Sequence, residues 1–179
     1  MLPKTDMFEI GRTKEDIKMD TLELALSLEL DLEIYYREQA ERNKENSLHV
    51  VFSMLAKEEE NHAKILRSKA DLLTTPVQET NILVEVRKLF KQLGNFKSDI
   101  KDIPSQLDSY RMALEMEQRS LKFYRTLRDN SQEEKAKATY QYLIKQEDIH
   151  CAIMDELVKL TTRPEEWVES AEFGLREDY

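Results

Sequence analysis

Two halves of this sequence repeat one another at a constant offset, and the repeat constrains the fold more than any other feature does. The stretch ALSLELDLEIYY at 25–36 aligns with ALEMEQRSLKFY at 113–124, and LAKEEENH at 55–62 aligns with LIKQEDIH at 143–150. Both alignments share one register, since 113 − 25 and 143 − 55 are each 88. A chain with such a register is expected to contain one structural unit twice, so each half helps to interpret the other.

The spacing of apolar residues predicts that each repeated unit is a pair of helices. Apolar residues recur at alternating steps of three and four through four long segments, which is the period of an amphipathic helix. Only 3 of the 179 residues are glycine and 4 are proline, so long helices are favoured over a sheet. The polar stretches NKENS and DNSQE separate the two helices of each pair. The predicted helices span about 14–42, 47–73, 105–128 and 133–160.

Residues 74–104, between the two predicted hairpins at 14–73 and 105–160, are expected to form a long crossover connection. They contain a shorter amphipathic segment that ends at Gly94, a residue type that commonly ends helices. A helix of about 25 residues is about 40 Å long, and a connection of this length can run back along it. One long crossover between two hairpins is a known connectivity of four-helix bundles.

The end of the sequence predicts one more short helix, at 164–174. Pro164 lies near its start, acidic residues fill its first turn, and Gly174 lies near its end. We therefore expect residues 1–179 to form a single all-α domain, a bundle of two repeated helical hairpins with a short C-terminal helix.

The repeat distinguishes the three neighbouring glutamates of KEEENH at 57–62. Glu58 corresponds to Gln146 in the second half, and an amide cannot be an anionic ligand. Glu60 lies two residues before His62 and so points to another side of the helix. Glu59 lies three residues before His62, which puts carboxylate and imidazole on one helical face, about one turn apart. Glu59 and His62 are therefore the predicted pair.

The second half contains the same pair, Glu147 and His150, and two further glutamates complete the pattern. Glu29 and Glu117 interrupt the apolar stripes of the first and third long helices. Each lies as far from its hairpin turn as the paired glutamate of the next helix, because the midpoints fall within NKENS and DNSQE. Residues equidistant from the turn of an antiparallel hairpin lie at one level. All four glutamates are therefore expected to meet in the middle of the bundle.

Four clustered carboxylates in a core require compensating charge, since an unpaired buried carboxylate costs several kcal/mol. Two divalent cations would balance the four negative charges, and neutral imidazoles would complete the coordination. Carboxylate-rich sites with one histidine per metal suit iron or manganese better than zinc. One glutamate from each of two helices and Glu-x-x-His from the other two is the di-iron bundle pattern. The pattern predicts a dinuclear metal site; a bundle whose glutamates stay protonated or hydrated is the alternative.

The stretches LELDLEIYY…EEENH and MEQRSLKFY…QEDIH resemble the ferritin-like di-iron carboxylate family, and rubrerythrins in particular. The resemblance covers nearly the whole chain from about residue 18 and implies a ferritin-like four-helix bundle. It places the family's iron ligands on Glu29, Glu59, His62, Glu117, Glu147 and His150.

The resemblance also implies a role for two tyrosines. Rubrerythrins have tyrosines about seven residues after the first- and third-helix glutamates, with hydroxyls that form hydrogen bonds near the iron. Tyr36 and Tyr124 lie seven residues after Glu29 and Glu117, and are the candidate catalytic residues. Ordinary core aromatics are the alternative, since any buried tyrosine hydroxyl needs a partner.

Two features depart from the family pattern. Typical rubrerythrins carry a rubredoxin domain with two Cys-x-x-Cys pairs, whereas this sequence has a single cysteine, Cys151. The resemblance therefore implies a separate electron donor, such as a rubredoxin-like protein. The family also has a further carboxylate one turn after the third-helix glutamate, where this sequence has Ser120.

The expected function is that of a non-haem di-iron oxidoreductase, a peroxidase or ferroxidase that reacts with hydrogen peroxide or dioxygen and protects against oxidative stress. Its cofactors would be two iron ions, with manganese or a mixed pair as the alternative. A ferritin-like protein that binds and stores iron is the second hypothesis, and a non-catalytic bundle is the third.

We expect a homodimer, in which the hairpins could pack within one chain or be exchanged between two.

The charge pattern excludes two classes of partner. Lysine and arginine number 27 against 36 acidic residues, a net charge of −9, and no basic block occurs. This balance argues against a nucleic-acid surface and against an anionic-membrane anchor.

The start of the sequence lacks a signal pattern, and no run of about 18 apolar residues occurs. A cytoplasmic protein is therefore expected.

Overall fold

The computed structural model describes residues 14–68, 82–92 and 103–162. These ranges contain five α-helices and no strand, and the predicted all-α fold is confirmed. None of the five is long and apolar enough to cross a membrane. The helices are α1 (Lys14–Arg42), α2 (Leu48–Arg67), α3 (Ile82–Gln92), α4 (Ile103–Asn130) and α5 (Glu134–Thr162).

The four long helices form two hairpins, with α1 packed along α2 and α4 packed along α5. Local hydrogen bonds explain why NKENS separates the first two. The side-chain amide of Asn43 donates to the carbonyl of Gln39 at 2.8 Å, at the end of α1. The side-chain oxygen of Asn46 accepts the backbone N–H of Leu48 at 2.9 Å, which satisfies a free N–H group at the start of α2.

Some predicted boundaries fall outside the described ranges. Helix α2 ends at Arg67, where the N–H of Ser68 donates to the carbonyl of Lys64 at 3.1 Å. Residues 69–73 of the second predicted helix lie outside the described residues. Helix α3 occupies part of the predicted crossover. The predicted helix at 164–174 lies outside the described residues.

The buried side chains form two apolar clusters, separated along the bundle axis by a polar layer. The first cluster includes Leu32, Phe52, Leu55, Tyr110 and Met154, and the second consists of Ala25, Leu66, Tyr124, Leu143 and Ile144. Each long helix contributes residues to both clusters, with a buried glutamate between them. The acids predicted from the apolar stripes therefore lie inside the core, between its two apolar halves.

Helix α3 covers one side of the first apolar cluster. Its buried residues Ile82, Val86 and Phe90 are spaced by four and form a single apolar stripe. Helix α3 packs mainly on α5, where Arg87 Nε lies 2.7 Å from Glu156 Oε1. The amphipathic segment of the predicted crossover thus covers the apolar cluster that lies on one side of the polar layer.

Candidate metal centre

The polar layer contains all six side chains predicted as metal ligands. One glutamate comes from each of α1 and α4, and a glutamate–histidine pair comes from each of α2 and α5. Every one of the six is 0% exposed. Four carboxylates without solvent are stable only when protons or cations balance their charge. The residues are Glu29, Glu59, His62, Glu117, Glu147 and His150.

Three carboxylate oxygens converge on one nitrogen of His62. Its Nδ1 lies 2.9 Å from Glu29 Oε2, 3.1 Å from Glu147 Oε1 and 3.3 Å from Glu59 Oε2. A ring nitrogen carries at most one hydrogen, so it cannot donate fully to three acceptors. Ligand atoms about 2.1 Å from one ion lie about 3 Å from each other, which is the spacing found here.

His150, the equivalent of His62 in the second repeat, also has a ring nitrogen close to carboxylate oxygens. Its Nδ1 lies 2.7 Å from Glu59 Oε1 and 3.7 Å from Glu117 Oε2. The two imidazole rings are nearly parallel, with centroids 5.4 Å apart. One carboxylate, that of Glu59, therefore approaches both histidines, through Oε2 to His62 and through Oε1 to His150.

Most polar atoms of the centre have no hydrogen-bond partner among the described residues. They include both carboxylate oxygens of Glu59 and of Glu147, and Nδ1 of His150. The contact of His150 with Glu59 is short, but its direction does not suit a hydrogen bond. Buried polar atoms almost always have a hydrogen-bond partner. Carboxylate oxygens and imidazole nitrogens that face one another without hydrogen bonds are typical of a metal site.

The donor set fits divalent cations. One atom from each of Glu59, His62, Glu147 and His150 can be chosen so that all four lie within 4.8 Å of one another. Two further carboxylates, from Glu29 and Glu117, border this group. An oxygen-rich set with two imidazoles and no thiolate suits iron or manganese. The cluster is of the kind found in di-iron sites.

Two tyrosines bind the outer carboxylates across the bundle. Tyr36 on α1 donates a hydrogen bond to Oε1 of Glu117 on α4. Tyr124 on α4 donates to Oε1 of Glu29 on α1. Both rings are fully buried and pack within the apolar clusters. The two tyrosines are therefore core aromatics whose hydroxyls also contact predicted ligands.

Burial changes the protonation of the two carboxyl groups at the middle of the centre. Loss of hydration raises the pKa of Glu59 to about 7, and the charge on His150 opposes that rise only in part. Burial also raises the pKa of Glu147 well above 4.5, and the charges of Glu29 and Glu59 raise it further. Without a cation, these carboxyl groups hold protons near neutral pH.

The imidazoles and the outer carboxylate of Glu29 are affected in the opposite sense. Burial alone would lower the pKa of His62 and His150, but the surrounding carboxylates raise both values well above 6.5. Burial would raise the pKa of Glu29, but the hydrogen bond with His62 and its charge outweigh burial and lower it. Protons thus supply the positive charge that cations would bring, and metal binding would release them.

One contact to the centre could not be predicted from motif spacing. The hydroxyl of Ser120 donates to Oε1 of Glu29 at 3.3 Å, and this side chain is fully buried. The corresponding residue of the first half is Leu32. A polar residue on an apolar stripe, at a position where the repeat has leucine, is the signal in the sequence that marks it.

Comparison with protein families supports the same interpretation. The rubrerythrin family model matches residues 20–158, which is most of the chain and includes all six residues of the centre. Comparisons with curated proteins and with solved structures give no match.

Proposed function

Because this chain belongs to the rubrerythrin family, we propose that it is a non-haem di-iron oxidoreductase that reacts with hydrogen peroxide or dioxygen. One observation carries the proposal: the carboxylate of Glu59, fully buried, lies within 3.3 Å of a ring nitrogen of both His62 and His150. A carboxylate near both imidazoles would be shared by two bound ions, and a Glu-x-x-His pair from each of two helices belongs to the ligand pattern of di-iron bundles.

The distances support an assignment of the ligands to two metal positions. Glu29 and His62, 2.9 Å apart, would bind one ion. Glu117 and His150 would bind the other, and Glu59 would bridge the two. Glu147, whose Oε1 lies 3.1 Å from His62 Nδ1, would be the second shared ligand. Two Fe(II) ions bound there would supply the two electrons that, with two protons, reduce hydrogen peroxide to two water molecules.

The protein supplies orientation and exclusion of water. The apolar clusters on both sides of the polar layer leave every ligand side chain without solvent exposure. Burial, together with the charges of Glu117 and Glu29, raises the pKa of Tyr36 and Tyr124 well above 10, so both phenols remain hydrogen-bond donors. We assign these tyrosines the role of fixing the orientation of the two outer carboxylates.

The reducing electrons are proposed to come from a separate rubredoxin-type protein. The 179 residues contain one cysteine, so they do not include the four-thiolate iron site of a rubredoxin. Cys151 is half-buried, and burial raises its pKa to about 12, so the thiol stays protonated. Homodimer formation and a cytoplasmic location remain part of the proposal.

Anaerobic Fe(II) loading followed by separate stopped-flow exposure to hydrogen peroxide and to dioxygen tests the activity. We expect about two ions per chain and much faster oxidation by peroxide. A strong preference for dioxygen would instead indicate a ferroxidase. A chain that binds no metal yet folds with full stability would contradict the proposal.

Iron storage, the second hypothesis, requires a hollow shell of many subunits. The molecular mass from size-exclusion chromatography with light scattering distinguishes the two roles. We expect the mass of a dimer, and a cage of many chains would contradict the enzymatic proposal in favour of storage.

A further inference from the structure

The two halves of the centre differ at one buried position that the repeat makes directly comparable. Ser120 follows Glu117 by three residues, and Leu32 follows Glu29 by three residues. Both side chains are buried, at 0% and 1% exposure. A hydroxyl therefore borders one side of the centre, where the symmetry of the repeat would place a hydrocarbon.

The serine acts across the bundle, on the carboxylate of the other hairpin. Ser120 Oγ donates to Glu29 Oε1 at 3.3 Å, and the same oxygen accepts the hydrogen bond of Tyr124. A length of 3.3 Å is long for a bond between a hydroxyl and a carboxylate, so this is a weak interaction. Glu29 Oε2, the other oxygen, lies 2.9 Å from His62 Nδ1. One oxygen of Glu29 thus has two hydroxyl donors, and the other faces the centre.

The matching carboxylate has only one such donor. Glu117 Oε1 accepts a hydrogen bond from Tyr36, and Leu32 has no group that could add a second. Glu117 Oε2 lies 3.7 Å from His150 Nδ1 and has no hydrogen-bond partner among the described residues. Glu117 is therefore less constrained than Glu29, although the two occupy equivalent positions in the repeat.

We propose that Ser120 is a positioning residue that makes the two metal positions of the centre unequal. The inference depends on the proposed function, because it requires that two metal ions bind. The serine and Tyr124 both donate hydrogen bonds to one oxygen of Glu29, and these bonds withdraw charge from the carboxylate. Glu29 would therefore be the weaker carboxylate donor to an ion bound beside His62, and Glu117 would be the stronger donor to an ion bound beside His150.

Mössbauer spectroscopy of protein loaded anaerobically with two ⁵⁷Fe(II) ions tests the inequality directly. Wild-type protein is expected to give two ferrous quadrupole doublets of equal area. S120A should bring the two doublets together, while S120T, which keeps the hydroxyl, should retain the wild-type difference. S27A is the matched control, because Ser27 is exposed on α1 and its hydroxyl donates only to the carbonyl of Leu24 at 2.8 Å.

An anaerobic Fe(II) titration provides a second measurement. The dissociation constant of the more weakly bound ion should fall about two- to five-fold in S120A, so that this ion binds more tightly. A change of this size corresponds to the loss of one weak hydrogen bond to Glu29. Two bound ions with identical wild-type doublets, or an S120A spectrum that matches wild type, would overturn the inference alone. Fewer than two bound ions in the wild-type protein would overturn the proposed function and this inference together.

Discussion

The phenol of Tyr124, on α4, donates its hydrogen bond to Glu29, on α1. The reciprocal bond runs from Tyr36, on α1, to Glu117, on α4. Each hairpin therefore sets the orientation of the outer carboxylate of the other. The two repeated units are not independent half-sites, because each completes its partner's hydrogen bonds within the core.

Removing one of these hydroxyls should weaken the bundle as well as the centre. We expect Y124F to lower the free energy of unfolding by about 1.5–3 kcal/mol, the range for a buried hydrogen bond to a charged group. Urea denaturation of the metal-free protein measures the change. Y140F is the control, since Tyr140 stacks on Tyr124 with centroids 6.3 Å apart but is only half-buried and lies outside the centre. Equal effects of Y124F and Y140F would contradict the role assigned to the bond with Glu29.

The bridging role proposed for Glu59 predicts a large effect from a nearly isosteric change. E59Q replaces the one carboxylate that approaches both histidines, so both ions should be lost or bound much more weakly. E58Q makes the same substitution one residue earlier, at a position that corresponds to Gln146, and should keep about two ions per chain. Metal analysis after anaerobic loading and gel filtration compares the two. Retention of two ions by E59Q would be incompatible with a bridge at this residue.

The metal-free protein should lose stability as the pH rises from about 5 to about 8. The pKa of Glu59 is raised to about 7 in the folded state, so between 4.5 and 7 the folded chain holds a proton that the unfolded chain has released. The resulting loss from this group is on the order of 3 kcal/mol. The raised pKa values of His62 and His150 extend the loss above 6.5. Below 4.5 the lowered pKa of Glu29 has the opposite effect, and stability falls as the pH decreases.

Urea denaturation with a chelator present, at intervals of one pH unit, measures this profile. Stability should be highest near pH 5, and E59Q should flatten the decline above it. A metal-free wild-type protein whose stability rises between pH 5 and 8 would show that these carboxyl groups are not protonated in the core.

Cations that accept imidazole ligands should stabilise the protein, and cations that prefer only oxygen should not. At a free concentration 1,000 times the dissociation constant, Mn(II) or Fe(II) would add about 4 kcal/mol to the free energy of unfolding. Mg(II) has the same charge but binds imidazole poorly, so it serves as the control for non-specific charge neutralisation. Thermal denaturation at pH 7.5 records both. Equal stabilisation by Mg(II) and Mn(II) would indicate that the histidines do not bind the metal.

The sequence predicted the fold and the members of the centre better than it predicted their contacts. The helical period placed Glu59 on a buried stripe and left Glu58 and Glu60 partly exposed, as the structure has them. The repeat predicted that four glutamates and two histidines would meet, and they do so without solvent exposure. That these six residues bind metal remains a prediction.

The contacts themselves depend on quantities that residue spacing does not contain. Level and face follow from position along a helix, but the partner of each oxygen depends on side-chain rotamers and on how the hairpins rotate against each other. For this reason the pairing of Tyr36 with Glu117, and the bond from Ser120 to Glu29, emerged only from the structure. Residue spacing likewise leaves open whether Tyr36 and Tyr124 are core aromatics or hydrogen-bond donors. In the structure each tyrosine is both.

The polar layer between the two apolar clusters also sets the axial register of the long helices relative to one another. A slip of one long helix by a single turn, about 5.4 Å, would carry its carboxylate into hydrocarbon and bring an apolar residue into the centre. Packing between amphipathic helices alone tolerates such slips, because the apolar stripe repeats at nearly every turn. The polar layer therefore helps to select the correct axial register when the bundle assembles. A misaligned intermediate would have neither paired charges nor a place to bind metal.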